Sequence, residues 1–306
     1  MTRTEKLLYT LVVLVVSFIL FLFFQNFEKI NSDINKFITS MKEPKINIPN
    51  DKTIFNRKYS YKTVHETNNF IPKNIDDLKN IYYTILNKGW DEFTFYCDKD
   101  YESCADDVKT IANDSEYINL INNYVSPFNS YKKYNTVITN DNEINVTLEK
   151  LYTKDEINKI NEKLDKIFND LEIHDTISST NIKKLHDYVI NNIKYDEEYK
   201  ENNRESISNK AYGALFNGIA LCSGYTDTFA LMLDRLSIPN FKVTSEEHVW
   251  NVIYYNGKWT HIDATWDDDE INKNNQHNFY MITTEELLKK DKEEHNFNIN
   301  DYLELK

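Results

Sequence analysis

The sequence predicts an α+β protein with an N-terminal transmembrane helix, and three observations lead there. An uncharged apolar run fills Leu7–Phe24. Helical and strand periodicities then mix over residues 53–175. From residue 176 an amphipathic helix and an apolar helix precede a series of short strands, the order in which a helix covers an antiparallel sheet. The chain has 306 residues, 41% of them hydrophobic, enough for one large or two small domains. The expected organisation is a membrane anchor over 1–28, a linker or stalk over 29–52, an α+β domain over 53–175 and a second domain over 176–306.

The anchor comes first. Eighteen residues at ~1.5 Å each cover about 27 Å, close to the thickness of a hydrocarbon core. A surface helix of a soluble domain needs a polar face, and this run has none. The competing reading is a cleaved signal peptide, which favours small residues at its cleavage site. The first Ala in the chain is Ala105, and no Cys follows the run before Cys97, so an uncleaved anchor is favoured over a processed or lipid-linked one. Arg3 and Lys6 precede the run, partly offset by Glu5; Glu28, Lys29 and Asp33 follow it. The positive-inside bias then predicts an extracytoplasmic body. Residues 25 to 52 are polar, with Pro44 and Pro49, and read as the stalk.

In the region 53–175, Asp76–Asn87 carries Leu78, Ile81, Tyr82 and Ile85 at helical spacing, and Gly89 stops it. Glu92–Tyr96 reads as a short strand and Ser115–Val125 as a helix. Tyr134–Thr139 and Glu143–Tyr152 read as two strands joined by a turn at Asn140-Asp141-Asn142. Thr153 with Glu156 three residues on forms a capping box for a helix reaching Leu171. Beyond 176, a helix is expected over Ser179–Lys194, a polar loop over Asp196–Asn209 and an apolar helix over Cys222–Leu236, stopped by Pro239. Strands are expected near 240–245, 248–255 and 259–264, and a last short helix over Glu285–Lys290, capped by Thr283 or Thr284. The net charge of −13 argues against a nucleic-acid partner, which needs Lys and Arg against phosphate.

The chemistry concentrates between Ala211 and Asp269. Cys222 opens the apolar helix, after a turn allowed by Gly218. A helix N-terminus carries partial positive charge and free N–H groups. Both favour a thiolate, and the same N–H groups suit the oxyanion of a tetrahedral intermediate. His248 begins a predicted strand, with Trp250 and Val252 on its face. Asp263 is expected on the next strand, sharing a face with His261, and the Asn256-Gly257 pair joins the two strands as a hairpin. Taken singly, each residue has a plainer reading: a buried inert Cys, a surface His, an exposed Asp at a strand end. Together they are a nucleophile, a base and a carboxylate that orients the base.

The segments A-Y-G-A-L-F-N-G-I-A-L-C-S-G-Y, H-V-W-N-V and H-I-D-A-T-W-D-D, in this order, resemble the transglutaminase-like superfamily, relatives of papain-like cysteine peptidases. The upstream H-D-Y-V-I-N-N-I-K-Y-D, His186 to Asp196, is similar to the helix that precedes this core in bacterial members. The resemblance covers residues 178–270 and implies a papain-like core in which a helix bearing the Cys lies on an antiparallel sheet. It further implies Cys222 as nucleophile, His248 as general base and acid, and Asp263 as orienter of the imidazole. It assigns no oxyanion-hole side chain, so that role falls to the Cys222 backbone, with Asn217 and Tyr212 as the side-chain candidates.

The remaining candidates are weaker. Cys97 and Cys104 are separated by six residues, and a disulfide between them leaves Cys222 free. Asp267-Asp268-Asp269-Glu270 lacks the D-x-[DN]-x-[DN]-G calcium pattern and reads as a solvated acidic loop. Zinc held by Cys222, His248 and Asp263 with His261 lacks the usual ligand spacing, so no metal and no cofactor is expected. Trp250, Trp259 and Trp266 lie on or beside the hairpin as core residues, with Trp250 a candidate wall of the cleft. The expected function is a membrane-anchored thiol acyl-transfer enzyme acting on protein or peptide amides, cell-wall peptide among them. A cysteine peptidase or deamidase uses the same three groups, and an idle cell-surface binding module is the non-enzymatic alternative.

Overall fold

The computed structural model describes residues 2–42, 46–49, 55–139, 143–174, 177–199, 202–203, 205–268 and 277–306. The expected turn at Asn140-Asp141-Asn142, the end of the acidic run at Asp269-Glu270, and Pro44 lie outside them. The contacts divide the chain into two compact units, 1–46 and 47–306.

The first unit is one helix, α1 (Arg3–Lys42). Its stretch Arg3–Phe21 is long and apolar enough to cross a membrane, and none of it is buried against protein. The helix continues well past the apolar run, through residues expected to form the stalk. That polar stretch contains no Pro or Gly before Pro44, so nothing in it breaks a helix already begun.

The second unit opens with α2 (Ile75–Lys88), capped by Asn74 and closed by Gly89 at φ 64°. β1 (Glu92–Tyr96), α3 (Cys104–Asn113), α4 (Ser115–Asn123), β2 (Tyr131–Ile138) and β3 (Glu143–Lys150) follow. Strands β1, β3 and β2 form an antiparallel sheet in that order. Cys97 and Cys104 are joined by a disulfide that ties the end of β1 to the start of α3. The helix α5 (Lys154–Asp170) begins at the Thr153–Glu156 capping box. Its Ile160, Leu164 and Ile167 enter the same core as the helices that follow, although the helix was expected to belong to a separate domain.

Next come α6 (Ser179–Asn192), β4 (Lys194–Tyr195), α7 (Glu205–Ser208), α8 (Ala211–Asn217), β5 (Ile219–Ala220) and α9 (Cys222–Arg235). The chain then forms β6 (Asn240–Thr244), β7 (Val249–Tyr255), β8 (Lys258–Ile262), α10 (Ala264–Asp267), β9 (Tyr280–Ile282) and α11 (Thr284–Lys290). Strands β6, β7, β8 and β9 make a four-stranded antiparallel sheet. Asn256 at φ 50° and Gly257 at φ 80° close the two-residue turn between β7 and β8. Positive φ at both positions is what a type I′ turn requires, and Asn-Gly supplies it at little cost.

Helix α9 lies on this sheet and is buried on almost every side. Phe229, Leu231 and Leu233 of α9 pack with Ile182, Leu185 and Val189 of α6 and with Ile253 and Ile262 of the sheet. A helix buried this fully has to satisfy its polar side chains internally. Asp227 does so by pairing with Lys242 Nζ on β6 at 3.0 Å and accepting from the Tyr152 hydroxyl at 2.7 Å. The same hydroxyl accepts the Ala211 N–H, so one network joins α9, β6, α8 and the approach to α5. At Gly224 the backbone passes so close to Ser208 that a Cβ would meet its carbonyl oxygen at 2.5 Å. Only glycine lets the first turns of α9 seat against α7.

Candidate active site

Cys222 is the first residue of α9 and is partly exposed. Its backbone N–H and that of Ser223 belong to the first turn, where no helical carbonyl is available to accept them. The turn is fixed to the sheet: Thr226 Oγ1 lies 2.8 Å from the Cys222 carbonyl and 2.9 Å from that of Val249, and Asn251 Nδ2 donates to the Thr226 carbonyl at 3.0 Å. These contacts join the start of α9 to the start of β7, so the thiol and His248 are positioned by the same joint.

His248 sits one residue before β7, not on it, and is nearly buried. Its Nε2 lies 2.6 Å from Asp263 Oδ2. The Cys222 sulfur is close enough to the ring to favour its charged form. With Nε2 engaged by the carboxylate, Nδ1 is the nitrogen left for sulfur. Burial opposes charge on this ring, but the Asp263 carboxylate, its hydrogen bond and the Cys222 sulfur outweigh it and push the pKa up to about 10.

Asp263 also lies just past its expected strand, as the N-cap of α10. The displacement has a local cause, because an N-cap residue turns its side chain back to accept the first amides of the helix. Oδ1 takes the N–H groups of Thr265 at 2.9 Å and Trp266 at 3.1 Å, and the Asp263 N–H donates to the Phe279 carbonyl at 3.0 Å. Oδ2 is left for His248. Burial would raise the carboxyl pKa, but the charge and hydrogen bond of His248, with a hydrogen bond from His295, hold it well below the usual carboxylate range.

His295 is absent from the sequence-based site. Its Nε2 lies 2.9 Å from the same Asp263 Oδ2, and its Nδ1 lies 2.7 Å from Asp291 Oδ2. Two carboxylates on the two nitrogens make hydrogen bonds only when both nitrogens carry hydrogen. The ring is wholly buried, stacked on Phe279 at 5.3 Å and met edge-on by Trp250 and Trp266. The only local sign of it in the sequence is Asp291 four residues ahead, and nothing in the spacing links it to Asp263.

The other expected residues take different places. Trp250 is wholly buried, so it backs the imidazole and does not wall an open cleft. Its ring stacks on His248 at 5.7 Å, and its Nε1–H donates to His261 Nδ1 at 2.9 Å. His261 Nε2 is 3.0 Å from Thr284 Oγ1, so both its nitrogens are engaged within the fold. Burial, then His295, pushes its pKa down to about 3, leaving it neutral. Trp266, 36% exposed and edge-on to His248 at 6.3 Å, is the tryptophan on the open side. Trp259 packs far along the hairpin against Phe241 and Tyr254. Tyr212 stacks on Phe216, and Asn217 is exposed at the end of α8. Tyr195 is a second residue that sequence reasoning missed. It pairs in β4 with Ala220, two residues before Cys222, and its phenol pKa is pushed up to about 12 by burial and then by the nearby Cys222. The acidic run is not wholly solvated: Asp267 is buried and its Oδ1 accepts the Phe279 N–H. A buried helix end needs such an acceptor for the strand that leaves it.

Residues 171–264 match the transglutaminase-like superfamily. Among solved structures, a TGase is similar over 44% of this chain and 45% of its own, at 18% identity and a TM-score of 0.33. A proposed cysteine protease from Cytophaga hutchinsonii is similar over 44% of this chain and 61% of its own, at 12% identity and a TM-score of 0.27. The chain thus spans less than two thirds of either. No curated protein sequence matches it.

Proposed function

We propose that this chain is a membrane-anchored thiol acyl-transfer enzyme acting on protein or peptide amides, with its body on the extracytoplasmic side. The observation that carries the reading is the 2.6 Å contact between His248 Nε2 and Asp263 Oδ2, with the Cys222 sulfur near enough to favour the charged ring. A ring held this way stays protonated at neutral pH and stabilises a thiolate beside it.

The Cys222 thiolate attacks the amide carbonyl carbon, and the oxyanion is met by the Cys222 backbone N–H and the Tyr195 phenol. As the C–N bond breaks, the His248 imidazolium gives its proton to the leaving amine, and a thioester remains. An amine or a water then attacks the thioester. His248 takes the proton of that nucleophile, and the thiolate leaves. An amine acceptor makes the reaction a transglutamination; water makes it a hydrolysis, as in a peptidase or deamidase. The Arg3 and Lys6 charges ahead of the apolar run and the Cys97–Cys104 bond both support an exported body.

Mild alkylation near neutral pH tests the reading on wild type, His248→Ala and Cys222→Ala. Fast labelling of Cys222 that collapses in His248→Ala supports it, whereas equally slow labelling of the two would favour an idle binding module. Amine incorporation measured beside peptide cleavage identifies the acceptor. Protease added to intact cells should degrade the body, and protection until lysis would reverse the orientation.

A further inference from the structure

A second cluster of ligand-bearing side chains lies outside the Cys222 site, between α6 and the approach to β9. His186, on the inner face of α6, is wholly buried, and among the described residues neither of its ring nitrogens has a hydrogen-bond partner. That is unusual for a buried imidazole, which normally satisfies at least one nitrogen. Its Nδ1 faces Asp187 Oδ1 at 3.8 Å. Its Nε2 is 3.0 Å from Asp267 Oδ2, and among the described residues that buried oxygen has no hydrogen-bond partner. His277 completes the group, with Nε2 2.6 Å from Asp187 Oδ1 and its ring 5.3 Å from that of His186. The ligand atoms of His186, Asp187 and His277 all lie within 4.8 Å of one another.

The cluster already attracts a cation. Lys183 Nζ lies 2.7 Å from Asp187 Oδ2 and 3.0 Å from His277 Nε2. That single nitrogen faces an ammonium on one side and a carboxylate on the other. It cannot accept from the first and donate to the second at once. A metal ion removes the conflict, because a neutral imidazole and a carboxylate both donate electron pairs to it. Lys183 is half exposed and free to swing into water.

We propose that His186 Nδ1, His277 Nε2 and Asp187 Oδ1 form a binding site for a divalent transition-metal ion of the zinc class. Two imidazoles and a carboxylate are a ligand set zinc accepts, with water in the fourth position. Asp187 and His277 are each about one third exposed, which gives the ion and its water an entrance. Asp267 stands 3.0 Å behind His186 Nε2, where a ring turned toward the ion could donate to it, as carboxylates do behind ligating imidazoles. The ion would join α6 to the segment leading into β9, close to Phe279, whose carbonyl accepts the Asp263 N–H. Its role would be to brace the fold beside the active site.

The test uses the full chain in detergent, stripped with a chelator and titrated with Zn²⁺ against a chromogenic competitor. Wild type and Cys222→Ala should each bind one ion. His277→Ala and Asp187→Asn, both near the surface, should bind at least tenfold more weakly while keeping a wild-type circular dichroism spectrum. Co²⁺ should give visible ligand-field bands without a sulfur charge-transfer band, and Zn²⁺ should raise the melting temperature of wild type but not of His277→Ala. No saturable binding would overturn the proposal, as would binding that survives His277→Ala or disappears in Cys222→Ala.

Discussion

His295 and His248 meet at one atom: both Nε2 groups lie within 3 Å of Asp263 Oδ2, at 2.9 and 2.6 Å. The carboxylate is therefore held between two imidazoles, while its other oxygen caps α10. His295 is in turn held by Asp291, so the Cys222 site has a wholly buried rear support.

His295→Gln should slow thioester formation without unfolding the protein. It takes away the imidazole held between Asp263 and Asp291, and weakening a hydrogen bond to the Asp263 carboxylate corresponds to a loss on the order of tenfold in kcat. His295 touches no substrate, so a second reading is needed: the pH at which Cys222 alkylation falls should move in the variant. An unchanged pH profile alongside unchanged activity would reduce His295 to a packing residue.

Asp263→Asn separates the two duties of the side chain. The amide oxygen still accepts the Thr265 and Trp266 N–H groups, so α10 should survive. The charge facing His248 is lost, and kcat should fall by about 10³ to 10⁴. An active Asn variant would mean that Asp263 serves the fold alone.

Tyr195→Phe should lower kcat by about 10², the scale for one missing oxyanion donor, with little change in KM. Asn217→Ala and Tyr212→Phe should leave kcat near wild type, because Asn217 is exposed at the end of α8 and Tyr212 stacks on Phe216. Steady-state kinetics on the three variants ranks them directly.

The His248–Asp263 pair also predicts a pH dependence of stability. The folded pKa of His248 is about 10, against an ordinary value of 6.5. Its contribution is complete below 6.5 and is lost as pH rises from there through 10. Asp263 is shifted downward, so its share is present above the ordinary value of 3.8 and is lost as pH falls through the lower folded value. Urea midpoints of wild type and His248→Ala should differ most near pH 6 and converge above pH 10. A gap that stays constant over that range would contradict the assignment.

Lys242→Ala should destabilise the fold by about 3–5 kcal/mol, because it leaves Asp227 buried without its cation. Replacing the pair together by Met and Leu should cost less. Urea unfolding monitored by tryptophan fluorescence measures both. A double variant as unstable as the single one would show that Asp227 is needed for its bond to Tyr152.

Local signals carried most of what was legible in advance. The Thr153–Glu156 box, the stop at Gly89 and the Asn256-Gly257 turn each act within a few residues, and the structure has all three. The turn also explains why His248 and Asp263 could be paired before any fold was known. Long-range features were not legible. β9 is three residues long and pairs with β8 across a register shift, so no periodicity marks it. His295 lies in a charged segment and acquires its role from burial under Trp250, Trp266 and Phe279. α8 is an apolar heptapeptide ended by Gly218, too short for a helical period to stand out.

Burial of α9 along nearly its whole length ties the placement of the Cys222 thiol to the stability of the whole domain. A nucleophile on a loop or a frayed helix end can be lost by local opening, far below the free energy of global unfolding. Here the first turn is stitched to β7 through Thr226 and Asn251, and Gly224 is wedged beneath Ser208. The bonded amide hydrogens of that turn, on Gly224 and Tyr225, should exchange as slowly as those at the centre of the sheet. Inactivation by heat or urea would then coincide with collapse of the whole domain, and the thiol would act as an on-or-off reporter of the folded state.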